Sequence, residues 1–432
     1  MKLSFARRLE WSWIAYDIGN SAFTLMLSAI LPLYFNGIGV AGGLTEPTAG
    51  AYWGYGTVIA TLFVALLSPT LGAMSDVSGR KRPIFLFFAI AGVVGCAAMG
   101  IPMPWLAFLV VTVLTRVLYS ASLVFYDAML VDVTTPARTD IVSAKGYAFG
   151  YIGSCIPFLA SIAVVLFSDL EATLAMAVAL LINAVWWLAF TLPLAKTYRQ
   201  KHFLPRTRHA VRDNFRRLFS VFSKQSDVPN KKGILLFLAA FFLYIDGVYT
   251  IIEMATTFGT VLQFDNTQLI LALLLTQIVA FPAAILMGRL AKKMRNDTLI
   301  LVSIAAYTGV ALFAVFMTAV WQFWVLACVV GLFQGGVQAL SRSYFAKIIP
   351  PEQSGCLFGI LDIFGKGASI IGTLLTSVVM DATNSANLAV IPIVCLFAAG
   401  LAVFAAAAKV NRPFLQERED AAPLPAPSVR AE

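Results

Sequence analysis

Seven ionisable side chains lie within stretches of this sequence that are otherwise apolar. They are Asp17, Arg116, Asp127, Asp246, Glu253, Asp362 and Lys366. A charge at the centre of a bilayer costs about 3 kcal/mol or more, so such groups usually face an interior cavity and mark a path for solutes or protons. A buried carboxylate can carry a proton, and an arginine can hold a carboxylate through two parallel hydrogen bonds. These residue types therefore indicate the binding and passage of a small polar solute.

If these stretches are helical, several polar residues share one helix face. Asp17 lies three residues before Asn20, and Asp362 lies four residues before Lys366. A longer polar stripe repeats every four residues at Gln334, Gln338 and Arg342. A stripe of this kind is more typical of a helix that lines a cavity than of one that only packs.

Each of these groups also has a purely structural interpretation. Asp17, near one end of its stretch, could cap a helix or form a gate close to the lipid headgroups. Asp362 and Lys366 could satisfy each other. Asp246 could carry a proton, or it could form a fixed ion pair with Arg116 or Lys366, and the sequence leaves both alternatives open.

The composition excludes most soluble classes of protein. The chain has 432 residues, of which 59% are hydrophobic and 12% are charged, whereas an average soluble domain carries about 25% charged residues. Stretches of roughly 20 apolar residues can cross the hydrocarbon of a bilayer. Such stretches occur at 13–35, 51–75, 84–101, 106–131, 146–168, 172–195, 233–258, 268–290, 298–317, 322–346, 356–380 and 388–408. We therefore predict an all-α membrane protein with twelve transmembrane helices.

Basic residues are distributed unevenly around the predicted spans. All of the 31 lysines and arginines except Arg116 and Lys366 fall at the termini, in alternate gaps or at the span ends that border those gaps, and the intervening gaps hold none. Cytoplasmic loops are enriched in basic residues, so both termini and the long central loop are predicted to be cytoplasmic, in a plasma or inner membrane. Topology and contact with anionic lipids thus explain the net charge of +9. A nucleic-acid partner is not expected.

The longest gap divides the predicted spans into six plus six. We expect an N-terminal six-helix bundle at 1–195, a basic linker at 196–232, a C-terminal six-helix bundle at 233–408 and a disordered tail at 409–432. The segment 71–82 (LGAMSDVSGRKR) has a weaker copy at 287–293 (MGRLAKK), half the chain later. Two repeated halves with a substrate site between them are a known plan of secondary transporters.

The motifs of several other classes are missing from the sequence. It contains no P-loop, no HExxH, no GxSxG and no cluster of cysteine and histidine, and its five cysteines are scattered. The sequence therefore predicts no enzyme activity, no cofactor and no metal site.

The segment 71–82 resembles the loop between the second and third helices of the major facilitator superfamily. In that superfamily a glycine, here Gly72, permits close approach of two helices. An acid, here Asp76, interacts favourably with a helix N-terminus and with nearby basic groups. The resemblance implies that Gly72, Asp76, Gly79 and Arg80 take part in conformational gating. The second copy has Lys292 where the first has Asp76, so the role of the acid is absent there.

A narrower resemblance covers nearly the whole chain. Matching segments lie at 16–23 (YDIGNSAF), 126–132 (YDAMLVD), 143–153 (SAKGYAFGYIG), 243–248 (LYIDGV) and 335–343 (GGVQALSRS). They are similar to signatures of the "unknown major facilitator" family, which includes the autophagy-related vacuolar amino-acid effluxers. Asp127, Val131 and Ile245 depart from the usual Asn, Pro and Asn of those signatures. The resemblance implies that spans 1, 4, 7 and 10 line the cavity.

The residues and the resemblance together lead to one functional prediction. The predicted solute and proton pathway consists of Asp17, Asn20, Arg116, Tyr126, Asp127, Asp246, Glu253, Gln334, Gln338, Arg342, Asp362 and Lys366. The protein is expected to be a monomeric secondary transporter, working by alternating access on a small polar solute. The resemblance implies an amino acid, and proton coupling would use the carboxylates. One hypothesis is that Asp246 pairs with Arg116 until a solute carboxylate replaces it. A transport-inactive receptor or scaffold and a lipid flippase are the alternatives.

Overall fold

The structure is a computed structural model that describes residues 4–205, 228–261, 266–383, 385 and 387–420. Side chains at 253–261, 266–267, 269–270, 367–370 and 419–420 lie outside this description. Within the described residues, twelve helices are long and apolar enough to span a membrane. They are α1 (Phe5–Ala41), α2 (Glu46–Ser75), α3 (Lys81–Ala98), α4 (Trp105–Ala128), α5 (Thr139–Phe167), α6 (Ala172–Thr197), α7 (Lys231–Val261), α8 (Asn266–Leu290), α9 (Asn296–Val315), α10 (Val320–Ile348), α11 (Ser354–Thr383) and α12 (Ile391–Asp420).

Local sequence signals explain several helix ends. Thr45 caps α2 by accepting a hydrogen bond from the backbone N–H of Thr48, and Pro47 follows at the start of the helix, where its missing N–H costs nothing. Gly79 adopts a positive φ of 74° in the turn between α2 and α3, a conformation that favours glycine. Within α1, a π-helical turn at Met26–Ile30 joins two α-helical parts.

The prediction of twelve membrane-spanning helices is confirmed, but the helices extend beyond the predicted apolar cores. α12 continues through residues 409–420, so this part of the predicted disordered tail is helical. Arg412 contacts Asp297, and Arg418 donates to the carbonyls of Lys347 and Ile349, which holds the extension against the protein. The predicted linker is also ordered at its beginning, because residues 198–204 pack against the loop between α2 and α3.

The first six and the last six helices pack in the same pattern. In the first half, α1 contacts α5 and α6, and α4 contacts α2 and α3; in the second half, α7 contacts α11 and α12, and α10 contacts α8 and α9. One polar contact is repeated as well: Tyr16 bonds Ser122 between α1 and α4, and Tyr244 bonds Ser341 between α7 and α10, both at 2.6 Å. The halves meet where α2 packs on α11 and α5 packs on α8 and α10.

Candidate functional site: a cavity between the two halves

A cavity of about 280 Å³ lies between the two halves of the molecule. Its walls come from α2, α4 and α5 of the first half and from α7, α10 and α11 of the second. The polar residues among those that line it are Thr61, Arg116, Ser120, Asp127, Tyr147, Tyr249, Gln338, Arg342, Asp362 and Lys366. Six predicted pathway residues therefore converge on one cavity, although they are spread over 250 residues of sequence (366 minus 116).

The cavity wall carries more positive than negative charge. Arg116, Arg342 and Lys366 face Asp127 and Asp362, which leaves a formal charge of +1 on the lining residues. Lys366 pairs with Asp362 at 2.6 Å, and Asp362 also accepts a hydrogen bond from Ser68 of α2 at 2.8 Å. The predicted pairing of Asp362 with Lys366 is thus present, and its carboxylate also reaches the other half. Arg116 donates to the Thr57 hydroxyl at 3.0 Å.

Arg342 lies at the floor of the cavity, and its guanidinium crosses from α10 into the first half. It forms an ion pair with Asp127 at 2.9 Å and a longer one with Asp17 at 3.6 Å. It also donates to the hydroxyl and the carbonyl of Ser143, at 2.9 and 3.0 Å. Its side chain is only 5% exposed. The sequence placed Arg342 on a polar stripe, and the structure makes it a link between the halves.

Three aromatic rings surround the same guanidinium. Its carbon lies 4.3 Å from the ring centroid of Tyr147, 4.6 Å from Trp13 and 5.5 Å from Tyr126. These distances are within the range of cation–π attraction. We name the surrounding set the Arg342 cage; its members are Trp13, Asp17, Tyr126, Asp127, Ser143 and Tyr147.

Three further predicted pathway residues with described side chains, Asn20, Gln334 and Asp246, are not among the residues that line the cavity. Asn20 donates to the Tyr16 carbonyl, and Gln334 is buried within α10. Asp246 is fully buried against α11, where it accepts hydrogen bonds from the Gly372 N–H at 3.0 Å and from Thr250 at 3.3 Å. Glu253 lies outside the described side chains.

The hypothesis that Asp246 pairs with Arg116 stays a prediction. Arg116 lines the cavity, and Asp246 lies at the contact between α7 and α11. In the structure, Arg342 pairs with Asp127 at the cavity floor and, at a longer distance, with Asp17. Among the predicted cavity helices, α4, α7 and α10 contribute to the wall, and α1 contributes Asp17 from behind Arg342.

One side of the cavity is closed by a seam between α2 and α11, which we call the backbone seam. The Asp76 carboxylate accepts hydrogen bonds from the N–H groups of Gly355 and Cys356 at 2.7 and 2.9 Å, and so occupies the positive N-terminus of α11. A methyl group on Gly72 would overlap the Gly355 carbonyl, and one on Gly359 would meet the Ser68 carbonyl. Close backbone approach therefore requires these glycines.

Lys81 supports the backbone seam from within the first half. Its ammonium donates to Ser354 of α11 at 2.8 Å and lies 3.6 Å from Asp132 and 3.9 Å from Asp76, with no exposed surface. The resemblance had assigned a gating role to Arg80. In the described contacts, Lys81 is the cation of this motif that reaches α11.

A second seam joins α5 to α8, α10 and the start of α9, and we call it the side-chain seam. Asp140, in the first turn of α5, pairs with Lys347 at 2.5 Å and accepts from Ser343 at 2.7 Å and Asn296 at 2.6 Å. Gly288 of α8 lies directly over Ala144 of α5. No local sequence motif marks this group, because its members are distant in the chain.

Both seams lie on the same side of the membrane-spanning region. Odd-numbered helices begin there and even-numbered helices end there, and the basic gaps of the sequence connect them; we call it the basic side. The hydrogen bonds between the halves that involve Asp76, Asp140 and Arg342 cluster toward this side. The cavity is therefore closed toward the basic side in this structure.

A strap formed by residues 198–204 covers the backbone seam on this side. The Leu204 N–H donates to the Asp76 carbonyl at 2.8 Å, and the Gln200 side chain accepts from the Gly79 N–H at 3.0 Å. Asp132 fixes the strap by accepting from the Tyr198 hydroxyl at 2.5 Å and from the His202 N–H at 2.9 Å. The beginning of the predicted linker is thus part of the closed side.

Solved structures with the same fold include several transporters. The chain superimposes on the human organic anion transporter MFSD10 with a TM-score of 0.71 at 17% identity, covering 92% of this chain and 99% of the other. A bacterial homologue of the iron transporter ferroportin in an outward-facing state gives 0.69 at 14% identity, covering 94% and 100%. These likenesses identify the major facilitator fold.

Sequence comparison is more specific. Residues 6–412 match the family described as "Vacuole effluxer Atg22 like". The uncharacterized MFS-type transporter YxiO of Bacillus subtilis is 38% identical over 96% of this chain and 98% of its own length. Autophagy-related protein 22-1 of Neosartorya fischeri is 28% identical over 56% of this chain, which spans 43% of that longer protein. The chain therefore belongs to the Atg22-like family of major facilitator superfamily transporters and is a multi-pass integral membrane protein.

Proposed function

We propose that this protein is a secondary transporter that moves small amino acids through the cavity by alternating access. The observation that carries the proposal is the cavity itself, which lies between two repeated halves and is lined by three cations and two carboxylates. Its volume of about 280 Å³ is at the lower limit of the roughly 300–1,000 Å³ typical of pockets for drug-sized ligands, which favours a small solute.

The charge of the wall favours a solute with a carboxylate. Arg116 is placed midway along α4, and its guanidinium can hold a carboxylate through two hydrogen bonds. The Asp362–Lys366 pair lines the same cavity and adds an ammonium group to it. The description "Vacuole effluxer" in the matching family agrees with export as the direction of transport.

Alternating access would use the two seams as the gate of the basic side. The seams join α2 to α11 and α5 to α8, and each pair consists of one helix from each half. One rocking movement of the halves would therefore open both seams. Proton coupling would act at Asp127, since a proton there weakens its ion pair with Arg342. The distribution of basic residues supports a cytoplasmic location for the basic side. We propose a plasma or inner membrane as the location of the protein.

Counterflow in proteoliposomes tests this proposal. Purified protein is loaded with each unlabelled amino acid in turn, and uptake of the same labelled amino acid is followed. We expect accumulation for at least one amino acid and little for its deaminated or decarboxylated analogue. Arg116→Gln should reduce the apparent affinity roughly 10- to 100-fold, as expected for loss of a charged hydrogen-bond pair. Arg289→Gln, which changes an exposed arginine at the end of α8, is the matched control. Counterflow that is unchanged in Arg116→Gln, or absent for every amino acid, would contradict the proposal.

A further inference from the structure

The Arg342 cage is built entirely by the half of the protein to which Arg342 does not belong. Trp13 and Asp17 come from α1, Tyr126 and Asp127 from α4, and Ser143 and Tyr147 from α5. Arg342 itself comes from α10. The guanidinium therefore occupies a cation site of the first half, and any separation of the halves on the basic side must withdraw it from that site.

The cage has internal contacts that hold its shape without Arg342. Trp13 stacks on Tyr126 with ring centroids 4.3 Å apart, and its indole N–H donates to the Tyr126 carbonyl at 2.9 Å. Gly146 lets α5 approach α1, since a methyl group there would lie 2.7 Å from an Asp17 carboxylate oxygen. A binding site whose residues are fixed by their own neighbours remains available when its occupant leaves.

Withdrawal of Arg342 leaves two carboxylates without its charge. Asp17 is buried, and the Asp127 side chain is 30% exposed, so neither is freely hydrated. Uncompensated carboxylates in such a place are costly. A proton on Asp127 neutralises one of them, and the Asp17 carboxylate still favours another cation in the cage. The three aromatic rings favour an organic cation, because their faces attract ammonium and guanidinium groups with little surrounding water.

We propose that the cage is a state-dependent binding site for the ammonium group of the transported solute, occupied by Arg342 while the basic side is closed. The proposal rests on the proposed transport of amino acids and adds a second position on their route. Asp127 follows Arg116 by 11 residues on α4, which is about 16 Å along a helix axis. One small amino acid cannot reach both, so the cage and Arg116 bind it in succession, the cage when the basic side is open.

The test empties the cage by mutation and refills it with a small cation. Purified Arg342→Ala is titrated with methylguanidinium, and the unfolding temperature is followed. We expect a saturable rise in that temperature, with little change in the wild type, whose own guanidinium fills the cage. Two further probes differ only in their amine: L-leucinamide should also stabilise Arg342→Ala, and 4-methylpentanamide should not. Potassium at the same ionic strength should have little effect.

Matched variants show whether the response belongs to the cage. Asp127→Asn or Tyr147→Leu, each combined with Arg342→Ala, should weaken the apparent affinity for methylguanidinium about tenfold. Arg412→Ala is the control variant. It removes an arginine that pairs with Asp297, outside the cage, so its unfolding temperature should not respond to methylguanidinium. An equal response in Arg412→Ala, no response in Arg342→Ala, or an equal response to potassium would overturn the proposal.

Two features keep the test decisive. If Arg342→Ala is recovered only as aggregate, Arg342→Gln is taken through the same titration. If both variants aggregate even when methylguanidinium is present during extraction, that result also counts against the cage. The titration measures binding and needs no transport. Failure of amino-acid counterflow in the wild type would therefore reject the proposed function while leaving the cage result to stand or fall separately.

Discussion

The two seams that close the basic side occupy equivalent places in the two repeats, but they are built from different groups. The backbone seam depends on the absence of side chains at Gly72 and Gly355 and on a carboxylate bound to backbone N–H groups. The side-chain seam depends on the charges of Asp140 and Lys347. The first seam therefore responds mainly to steric changes, and the second to changes of charge.

The position of the acid explains the difference. In the first repeat, Asp76 lies in the loop after α2 and reaches the N-terminus of α11 in the other half. In the second repeat, Lys292 stands at the corresponding place. In the side-chain seam the acid is Asp140 of the first repeat, which lies in the first turn of α5 and contacts Lys347 and Asn296 of the second repeat. The two repeats therefore share the packing of their helices, but the interacting groups differ between the two seams.

A bulky residue in the backbone seam should have the largest effect. Gly72→Leu places a side chain against the Gly355 carbonyl, so α2 and α11 cannot approach and the basic side cannot close. We expect counterflow to fall below about one hundredth of the wild-type rate, as steric overlap in a packed contact costs several kcal/mol. Gly54→Leu is the control on the same helix, because a side chain there meets no neighbour within 4 Å. Transport by Gly72→Leu at the level of Gly54→Leu would show that this seam need not close.

Loss of charge at Asp76 should have the next largest effect. Asp76→Asn keeps one acceptor oxygen and loses the negative charge that interacts with the α11 N-terminus and with Lys81. We expect turnover to fall about tenfold, in line with about 1–3 kcal/mol for charged hydrogen bonds, while solute affinity measured by thermal stabilisation stays within twofold. Asp381→Asn, on the opposite side and exposed, should leave turnover unchanged. A normal rate in Asp76→Asn would remove the carboxylate from the gate.

A double-mutant cycle should separate the two seams. Asp140→Ala and Lys347→Ala should show a coupling of about 1–3 kcal/mol in unfolding free energy, because each removes the partner of the other. Asp76→Ala and Lys347→Ala, which belong to different seams, should be additive within about 0.5 kcal/mol. Strong coupling of the second pair would mean that the seams act as one unit.

The strap should contribute least. His202 is 37% exposed and lies 3.0 Å from Asp132. His202→Gln keeps the backbone hydrogen bond to Asp132, so the loss should stay under about 1 kcal/mol. The unfolding temperature is the measurement, and Lys201→Gln is the neighbouring control. A loss as large as that of Asp76→Asn would assign the strap a main role in closure.

The fold could be predicted almost completely from the sequence, because apolar length and the distribution of basic residues are local or additive signals. One side of the backbone seam was indicated by a family resemblance, since Gly72, Asp76 and Gly79 lie within one short segment, but its partners on α11 were not predicted. The side-chain seam was not, because Asp140 and Lys347 are separated by 207 residues. Only the folded arrangement of the helices brings them together.

The direction in which a buried side chain points could not be predicted from the sequence either. The depth of Asp246 along α7 could be estimated from residue counts, but α7 packs against neighbours on several faces, so its contact with Gly372 could not be inferred. Tyr147 was missed for a related reason: an aromatic residue in a glycine-containing helix is usually interpreted as packing, and here it lines the cavity and covers Arg342.

The central claim is that a solute cavity is closed toward the basic side by the two seams, and thiol accessibility tests it most directly. Thr61→Cys places a thiol on the cavity wall after the five native cysteines are replaced. Glu46→Cys and Lys409→Cys mark the opposite side and the basic side. An impermeant reagent applied to the side that labels Glu46→Cys should label Thr61→Cys at least about tenfold faster than reagent applied to the side that labels Lys409→Cys. Combining Asp76→Asn with Asp140→Asn should reverse or abolish this preference. Faster labelling from the basic side with both seams intact would contradict the account.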